Sequence, residues 1–281
     1  MFVDWAPAPL AIEIAGRGIR WYSLCWVAAL LLAYVNMGRL FKQQGVPSGR
    51  LDKVFFYCFF GVLIGARLGH CLCYEPMYYL NHLTEMFLPI KKIGGTWRLV
   101  GYEGLASHGG VAGLLVAIWL FCRSTKMKYL HILDNMGVIT PLSAAFIRLG
   151  NLMNSEIVGL PTSVPWGFIF RNNGEDFARH PAQLYESLFY LCLFFVFLAV
   201  HKRQRARVGT GYFFGLCLTV IFTFRFLVEI VKDDQVAFEA GILLNMGQIL
   251  SIPLVLIGVY FLLTCRRRAG ITLPKQAHTK R

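Results

Sequence analysis

The stretch at residues 148–159, RLGNLMNSEIVG, joins chemically active side chains to an apolar neighbourhood. It places an arginine, two asparagines and a glutamate at the end of a long hydrophobic run. Because burying a charge in hydrocarbon is costly, an ionisable residue at such a place predicts a functional site. Arg148 and Asn151 are three residues apart and therefore share one face of a helix. Glu156 and Gly159 follow in the same stretch.

A second arginine lies in another apolar run, FRFLVEIVK. Arg225, Glu229 and Lys232 recur at intervals of four and three, so they line one helical face. One interpretation is a local Arg–Glu pair that neutralises itself. The other joins Arg225 to Arg148 as an anion site, since guanidinium groups in apolar surroundings suit phosphate. The phosphate most available at that depth belongs to a phospholipid headgroup.

The sequence HPAQLYES opens a further apolar run and carries three more polar side chains. Gln183 and Glu186 lie on one helical face, with Tyr185 beside them. Glu186 is close enough to hydrocarbon to require a cationic partner, and we predict an arginine.

Three polar residues in other runs have two interpretations each. His108, in SHGG, is either a satisfied core histidine or a general base, and we expect its two glycines to open room beside the imidazole. Arg67 either reaches the membrane surface and pairs with an acid there, or binds substrate. Tyr22, just inside the first run, is either an interfacial aromatic residue or a ligand of a lipid headgroup. A zinc site is not expected, because no second His or Cys stands at metal spacing from His108.

The elements that position these residues are membrane-spanning helices. Hydrophobic residues make up 56% of the chain and charged residues 15%, and about 20 apolar residues span a bilayer. Seven stretches qualify, at roughly 19–41, 54–74, 104–122, 130–152, 183–200, 208–231 and 246–265. We predict one all-α polytopic membrane domain over residues 1–281. Within it we expect an outer arm at 75–103, an outer head at 153–182 and a basic cytoplasmic tail at 266–281.

The net charge of +13 is explained by topology. Of 28 Lys and Arg residues, 17 lie in alternate connecting segments, which the positive-inside rule makes cytoplasmic. The N-terminus is then outside and the C-terminus inside, and no nucleic-acid partner is expected. The eight cysteines lie in or at the ends of spans and are interpreted as buried apolar thiols. The polar residues named above fall in the outer half of their spans, and polar residues are not expected in the inner half.

The motifs together resemble one family. RLGNLMNSEIVG, SHGG, HPAQLYE, GARLG and FRFLVE followed by MGQILS are similar to the blocks of the bacterial prolipoprotein diacylglyceryl transferases, in the same order. The resemblance implies a seven-span inner-membrane enzyme with its active site toward the periplasm. It would transfer diacylglyceryl from phosphatidylglycerol to the lipobox cysteine of a prolipoprotein, forming a thioether and releasing glycerol phosphate. Ile147, Ala182 and Ile221 depart from the family pattern.

The resemblance also implies roles for single residues. The expected catalytic residues are His108, Arg148 and Arg225. Its motifs also imply that Tyr22, Arg148, Asn151, Glu156, Gly159 and Glu229 bind substrate. From their own positions in the apolar runs, we further expect substrate binding by Arg67, Gln183, Tyr185, Glu186 and Lys232. No metal or cofactor is expected. The expected partners are phosphatidylglycerol, the prolipoprotein signal peptide and membrane lipid, with the enzyme acting as a monomer.

Two other functions are open from the residues alone. A phospholipid transporter or flippase would use the same arginines to grip headgroups, although the chain lacks the internal repeats of many transporters. A scaffold protein would leave its buried charges paired with one another.

Overall fold

The computed structural model describes residues 2–14, 17–88, 90–100, 104–233 and 244–271. The chain divides into two compact units. The first unit comprises Met1–Gly45 and Leu130–Arg281, and the second comprises Val46–Tyr129. The single membrane domain over residues 1–281 stays a prediction, and each unit is described by itself below.

Among the residues that the structure describes, seven helices are long and apolar enough to cross a membrane, which confirms the predicted number of spans. They are α1 (Trp21–Gln43), α2 (Gly49–Cys73), α5 (Ser107–Thr125), α6 (Tyr129–Met153), α7 (Ala182–Arg203), α8 (Tyr212–Val228) and α9 (Met246–Thr264). Large apolar side chains such as Leu31, Leu256 and Leu263 are 60%, 63% and 75% exposed. Such outward apolar faces are those that a lipid environment would cover. The protein is therefore a multi-pass membrane protein.

In the second unit, glycines bring two spans into close contact. Gly61, Gly65 and Gly69 of α2 face Gly109 and Gly113 of α5. A Cβ atom added at Gly69 would lie 2.7 Å from Gly109 Cα. The four-residue spacing of the α2 glycines keeps side chains off this face, and the two helices therefore pack closely.

The predicted arm follows α2 in the second unit and is ordered. It contains two short helices, α3 (Pro76–Asn81) and α4 (Leu83–Phe87). An antiparallel hairpin follows, formed by β4 (Ile90–Ile93) and β5 (Thr96–Leu99). Residues 89 and 101–103 of the predicted arm lie outside the described residues.

The first unit is built around α6. Of the most apolar window of this helix 61% is buried, against at most 39% for any other span. The remaining spans of the unit are α1, α7, α8 and α9. At Gly137 of α6 an added Cβ would lie 2.6 Å from Phe213 O of α8, so the two helices pack closely.

The predicted head folds beside the end of α6. It contains a short strand, β6 (Phe168–Phe170), which pairs in parallel with β1 (Val3–Trp5). Trp5 donates from Nε1 to Leu152 O at 2.9 Å and packs against Leu152, Phe168 and Phe170. Trp5 thus fixes the head to α6.

An N-terminal hairpin and the C-terminal tail complete the chain. β2 (Leu10–Ile14) and β3 (Arg17–Arg20) form an antiparallel hairpin before α1. Of the predicted basic tail, residues 272–281 lie outside the described residues.

Candidate functional site

Four helix ends meet in the first unit. They are the C-terminal ends of α6 and α8 and the N-terminal ends of α7 and α9, and they carry Arg148, Glu229, Glu186 and Asn245 in that order. Most of the predicted site residues lie on these ends or in the segments that connect them.

Five charged side chains form a row that we call the ion-pair ladder: Arg148, Glu186, Lys232, Glu229 and Arg225. Arg148 Nε lies 3.0 Å from Glu186 Oε2, and Lys232 Nζ lies 3.1 Å from the same oxygen. Lys232 Nζ also lies 3.0 Å from Glu229 Oε1, whereas Arg225 Nε is 3.8 Å from that atom. Positive and negative groups therefore alternate, with an arginine at each end.

Burial decreases toward the ends of the ladder. The side chains of Glu186, Lys232 and Glu229 are 0%, 1% and 6% exposed, while those of Arg148 and Arg225 are 13% and 36% exposed. Buried ion pairs contribute little net stability because desolvation offsets their attraction. The arrangement is thus better suited to holding the arginines than to stabilising the fold.

Glu186 is the centre of this arrangement. Tyr190, one turn further along α7, donates from its hydroxyl to Glu186 Oε1 at 3.3 Å. The prediction that Glu186 takes an arginine as partner is confirmed. The second cation, Lys232, and the hydroxyl of Tyr190 are not predicted from the sequence, although the four-residue spacing of Tyr190 from Glu186 is a signal for the latter.

Asn151 orients the exposed end of Arg148. Arg148 Nη1 donates to Asn151 Oδ1 at 3.3 Å, and Asn151 Nδ2 donates to Glu156 Oε2 at 3.3 Å. Asn154 Nδ2 donates to the other oxygen of Glu156 at 3.1 Å. The spacing of the RLGNLMNSE stretch therefore serves a chain of hydrogen bonds that starts at the arginine.

Gly159 permits a close backbone approach. Its N–H donates to His180 O at 2.9 Å, and it forms an isolated bridge with Lys232. A Cβ added at Gly159 would lie 2.6 Å from His180 O and 2.7 Å from Val231 O. Gly159 thus sets the position of the segment that carries Lys232.

Gln183 and Tyr185 connect α7 to the head. Gln183 is fully buried and donates from Nε2 to Glu156 O at 2.5 Å. Tyr185 accepts from Trp166 Nε1 at 2.9 Å, and its hydroxyl lies 3.1 Å from His180 Nδ1. Both side chains hold the head beside the ladder.

Glu229 has a third partner on α9. Asn245 is the N-cap of this helix and accepts from Gln248 N at 2.9 Å. Its Nδ2 also donates to Glu229 Oε2 at 3.4 Å, a contact that the sequence does not predict. An added Cβ at Gly247 would lie 2.5 Å from the Glu229 carboxyl carbon, so the start of α9 encloses this carboxylate.

Tyr22 packs against the helix that carries Arg148. A Cβ added at Gly150 would lie 2.8 Å from Tyr22 Cδ2, so only glycine leaves room for the ring there. The Tyr22 ring is half-buried and lies 6.4 Å from that of Trp26, edge to face.

His108 and Arg67 belong to the second unit. His108 is the second residue of α5 and is exposed, with its ring 5.9 Å from that of Tyr74. The expectation that two glycines open room beside it is wrong. Gly109 and Gly110 are buried, and the backbone of α2 fills the space beside Gly109.

Arg67 is buried and anchors the arm. Its guanidinium donates to Glu85 O at 2.6 Å, to Met86 O at 3.2 Å and to Gly104 O at 3.4 Å. It also lies over the Tyr79 ring at 4.8 Å. These contacts give Arg67 a structural role that the sequence did not predict, since it binds backbone carbonyl groups of the arm.

Beside Arg67, the carboxylate of Glu85 is held by two hydrogen bonds within the arm. Tyr78 donates from its hydroxyl to Glu85 Oε2 at 2.7 Å, and Lys92 N donates to Glu85 Oε1 at 3.2 Å. The Tyr78 hydrogen bond is the main cause that lowers the pKa of Glu85. The same bond raises the pKa of Tyr78 to about 12.

A second polar cluster lies at the other end of α6, where the sequence predicts none. Asp134, fully buried, accepts from Gly209 N at 2.8 Å, Gly211 N at 2.9 Å and Phe214 N at 2.9 Å. The expectation that polar residues are confined to one half of the spans is therefore wrong. Gly209 and Gly211 have φ of +90° and +84°, which only glycine adopts readily.

A network of amides lies next to Asp134. Gln44 Nε2 donates to Asn135 Oδ1 at 2.6 Å, and Asn135 Nδ2 donates to Gln44 Oε1 at 3.1 Å. His131 Nε2 lies 2.6 Å from Gln44 Oε1. These groups join α6 to the end of α1.

The cysteines are only partly as expected. Cys71, Cys122, Cys217 and Cys265 are buried, but Cys73 and Cys192 are exposed. Within the residues that the structure describes, no group of three His, Cys, Asp or Glu side chains has the geometry of a metal site.

Fold and ladder define a polytopic membrane protein with a cationic site at one end of its helices. Residues 9–264 match the family model of the prolipoprotein diacylglyceryl transferases, so the chain belongs to this family of transferases. It is 51% identical over 261 residues to the phosphatidylglycerol–prolipoprotein diacylglyceryl transferase of Bacteroides fragilis, covering 92% of this chain and 94% of that protein. The enzymes of the same name from Tolumonas auensis and Porphyromonas gingivalis are 42% and 38% identical. They cover 92% and 93% of this chain and 96% and 94% of their own length.

Proposed function

We propose that this protein transfers the diacylglyceryl group of phosphatidylglycerol to the lipobox cysteine of a prolipoprotein, the first step of lipoprotein maturation. The observation that carries the proposal is the ion-pair ladder, in which three cations face two carboxylates. A site with one surplus positive charge complements one phosphodiester anion. The names of the relatives favour this transfer over the alternative of a phospholipid transporter.

The reaction changes the charge that the arginines face. The cysteine sulfur attacks the sn-3 carbon of the diacylglyceryl group, a C–S bond forms and the C–O bond to phosphate breaks. The leaving glycerol phosphate gains a negative charge, and Arg148 and Arg225 stabilise it as it develops. The thiol proton leaves with a base or with solvent, so atoms and charge balance without a cofactor.

The acceptor thiol must ionise before it attacks, since its pKa is ordinarily about 8.5. Two alternative mechanisms account for this ionisation. His108 takes the proton directly, in keeping with its exposure at the start of α5. Alternatively, the positive field of the arginines lowers the thiol pKa without a base. A His108→Gln variant separates the two alternatives, because the rate of transfer depends on the protonation state of an imidazole only if His108 is the base.

The other predicted substrate-binding residues divide by their contacts. Tyr22 and Asn151 flank Arg148 and are proposed to contact the headgroup. Gln183, Tyr185 and Gly159 are proposed to hold the head, and Arg67 the arm, so that the site keeps its shape.

The proposed setting is the bacterial inner membrane. Positive charge in alternate connecting segments supports an N-terminus outside, a cytoplasmic C-terminus and a site open toward the periplasm. The enzyme is proposed to act as a monomer on lipid and signal peptide.

The test is a reaction with defined components. Purified protein is incubated with phosphatidylglycerol vesicles and a synthetic lipobox peptide, and the peptide is examined by mass spectrometry. We expect a diacylglyceryl adduct and free glycerol phosphate, and no adduct on the matched peptide with Cys→Ser. Movement of phosphatidylglycerol between leaflets with no adduct would overturn the proposal in favour of a transporter.

A further inference from the structure

Lys232 occupies the middle of the ion-pair ladder, where no substrate can reach it directly. Its side chain is 1% exposed, and its Nζ lies 3.1 Å from Glu186 Oε2 and 3.0 Å from Glu229 Oε1. Its spacing from Arg225 and Glu229 on one helical face predicted a substrate-binding role for it. Its burial between two carboxylates argues for a different one.

The charge balance depends on this lysine. With it, the ladder holds three cations and two carboxylates and keeps one surplus positive charge. Without it, Arg148 and Arg225 would each be neutralised by the glutamate beside them. A neutral ladder would have no net attraction for a phosphodiester.

The distances also show how Lys232 releases Arg225. Glu229 lies 3.0 Å from Lys232 and accepts from Asn245 Nδ2 at 3.4 Å, but it lies 3.8 Å from Arg225 Nε. Arg225 can therefore turn to a bound anion while the Glu229 carboxylate stays compensated. An unpaired buried carboxylate would otherwise oppose that movement.

Lys232 affects Arg148, at the other end of the ladder, in a similar way. Its Nε binds Glu186 and its Nη1 binds Asn151, whereas Nη2 has no hydrogen-bond partner among the described residues. Lys232 shares the same oxygen of Glu186, so the carboxylate fixes Arg148 without taking up its whole charge.

We infer that Lys232 is a positioning residue that compensates Glu186 and Glu229, and thereby leaves Arg148 and Arg225 one unit of positive charge for the substrate phosphate. The inference rests on the proposed function, and it does not place Lys232 in contact with substrate.

The experiment restores the charge balance by a second substitution. Lys232→Met removes the surplus charge, and we expect kcat/KM for diacylglyceryl transfer to fall by about a hundredfold, as for loss of one electrostatic stabiliser. Lys232→Met with Glu229→Gln, and Lys232→Met with Glu186→Gln, each return the ladder to one surplus positive charge. We expect kcat/KM of the double variant with Glu229→Gln to be at least about tenfold higher than that of Lys232→Met, since Arg148 keeps its partner Glu186. The double variant with Glu186→Gln should recover less activity.

Thermal unfolding in detergent is measured for all three variants beside the kinetics. If the pairs fold but remain as inactive as Lys232→Met, Lys232 acts by contact with substrate and the inference is overturned. It is also overturned if Lys232→Met keeps full activity, or if neither pair folds. Failure of the proposed function is distinguishable, because the unaltered protein would then form no adduct at all.

Discussion

The two ends of α6 both bury polar side chains, but they do so in different ways. At one end Arg148 joins a ladder of five charges whose terminal arginines are 13% and 36% exposed. At the other end, roughly 20 Å along the helix axis, Asp134 is fully buried and accepts three backbone N–H groups. Each end places an ionisable residue in an apolar run, although the sequence led us to expect polar side chains only at the Arg148 end.

The two ends differ in whether any charge or hydrogen-bond donor is left without a partner inside the protein. The Asp134 carboxylate accepts from the N–H groups that open α8, where the helix dipole also favours a negative charge. Nearby, Gln44 and Asn135 satisfy one another. The ladder, in contrast, keeps a surplus charge and guanidinium groups that reach the surface. Burial of a polar group therefore does not mark a site, whereas surplus charge with accessible donors does.

The largest effect that tests this comparison is expected at Arg225. Arg225→Gln should lower kcat/KM for diacylglyceryl transfer by about 10²–10³-fold, the usual cost of removing one donor to a developing oxyanion. The midpoint of thermal unfolding should change little, because Glu229 keeps Lys232 at 3.0 Å and Asn245 at 3.4 Å. Kinetics with vesicles of phosphatidylglycerol and melting in detergent measure the two quantities.

Arg225→Lys is the matched control, since it keeps the charge and loses the planar fork; we expect intermediate activity. If Arg225→Gln instead melts much earlier and its folded fraction transfers at the normal rate, the arginine belongs to the same structural class as Asp134.

The opposite result is expected at the other end of α6. Asp134→Ala should lower the free energy of unfolding by about 3 kcal/mol, because three buried N–H groups lose a charged acceptor. The transfer rate per folded molecule should stay unchanged. Asp134→Asn keeps one acceptor oxygen and should lose less stability than Asp134→Ala. A lower kcat in fully folded Asp134→Ala protein would contradict the structural role.

Several local features were predictable from the sequence, while the partnerships between residues far apart in the chain were not. The seven spans follow from the lengths of apolar runs, and the close packing of α2 on α5 follows from glycines every four residues. The need of Glu186 for a cation also follows, because a lone carboxylate near hydrocarbon is costly.

The rest depends on which helix ends meet in space. The spacing along the chain pairs Lys232 only with Glu229, three residues away. Its equally close approach to Glu186 arises because α7 meets the end of α8. Asp134 takes its donors from residues 75 or more positions away. The glycines after His108 look like an opening for a ligand, but α2 occupies that space.

The smallest effect concerns a carboxylate outside the spans, Glu85, which extends the comparison to the arm. Its pKa is lowered mainly by the Tyr78 hydroxyl, with a further contribution from Lys92 N–H. A carboxyl group whose pKa is lower in the folded state stabilises the fold above its ordinary pKa of about 4.3, and this contribution is lost as the pH falls through the folded value. The arm should therefore loosen at acidic pH in the unaltered protein.

Tyr78→Phe removes the main cause of that shift while keeping the ring. We expect the pKa of Glu85 to rise toward its ordinary value, so the arm loses this stabilisation at neutral pH and its order depends less on pH. Hydrogen exchange of the 83–99 segment between about pH 4 and pH 7, corrected for intrinsic rates and read by mass spectrometry, measures the effect. Arg67 still donates to Glu85 O at 2.6 Å and to Met86 O at 3.2 Å in this variant, so the arm should stay attached. If the variant and the unaltered protein show the same pH dependence, the Glu85 carboxylate behaves as a solvated surface charge, and the arm is held by the backbone contacts of Arg67 alone.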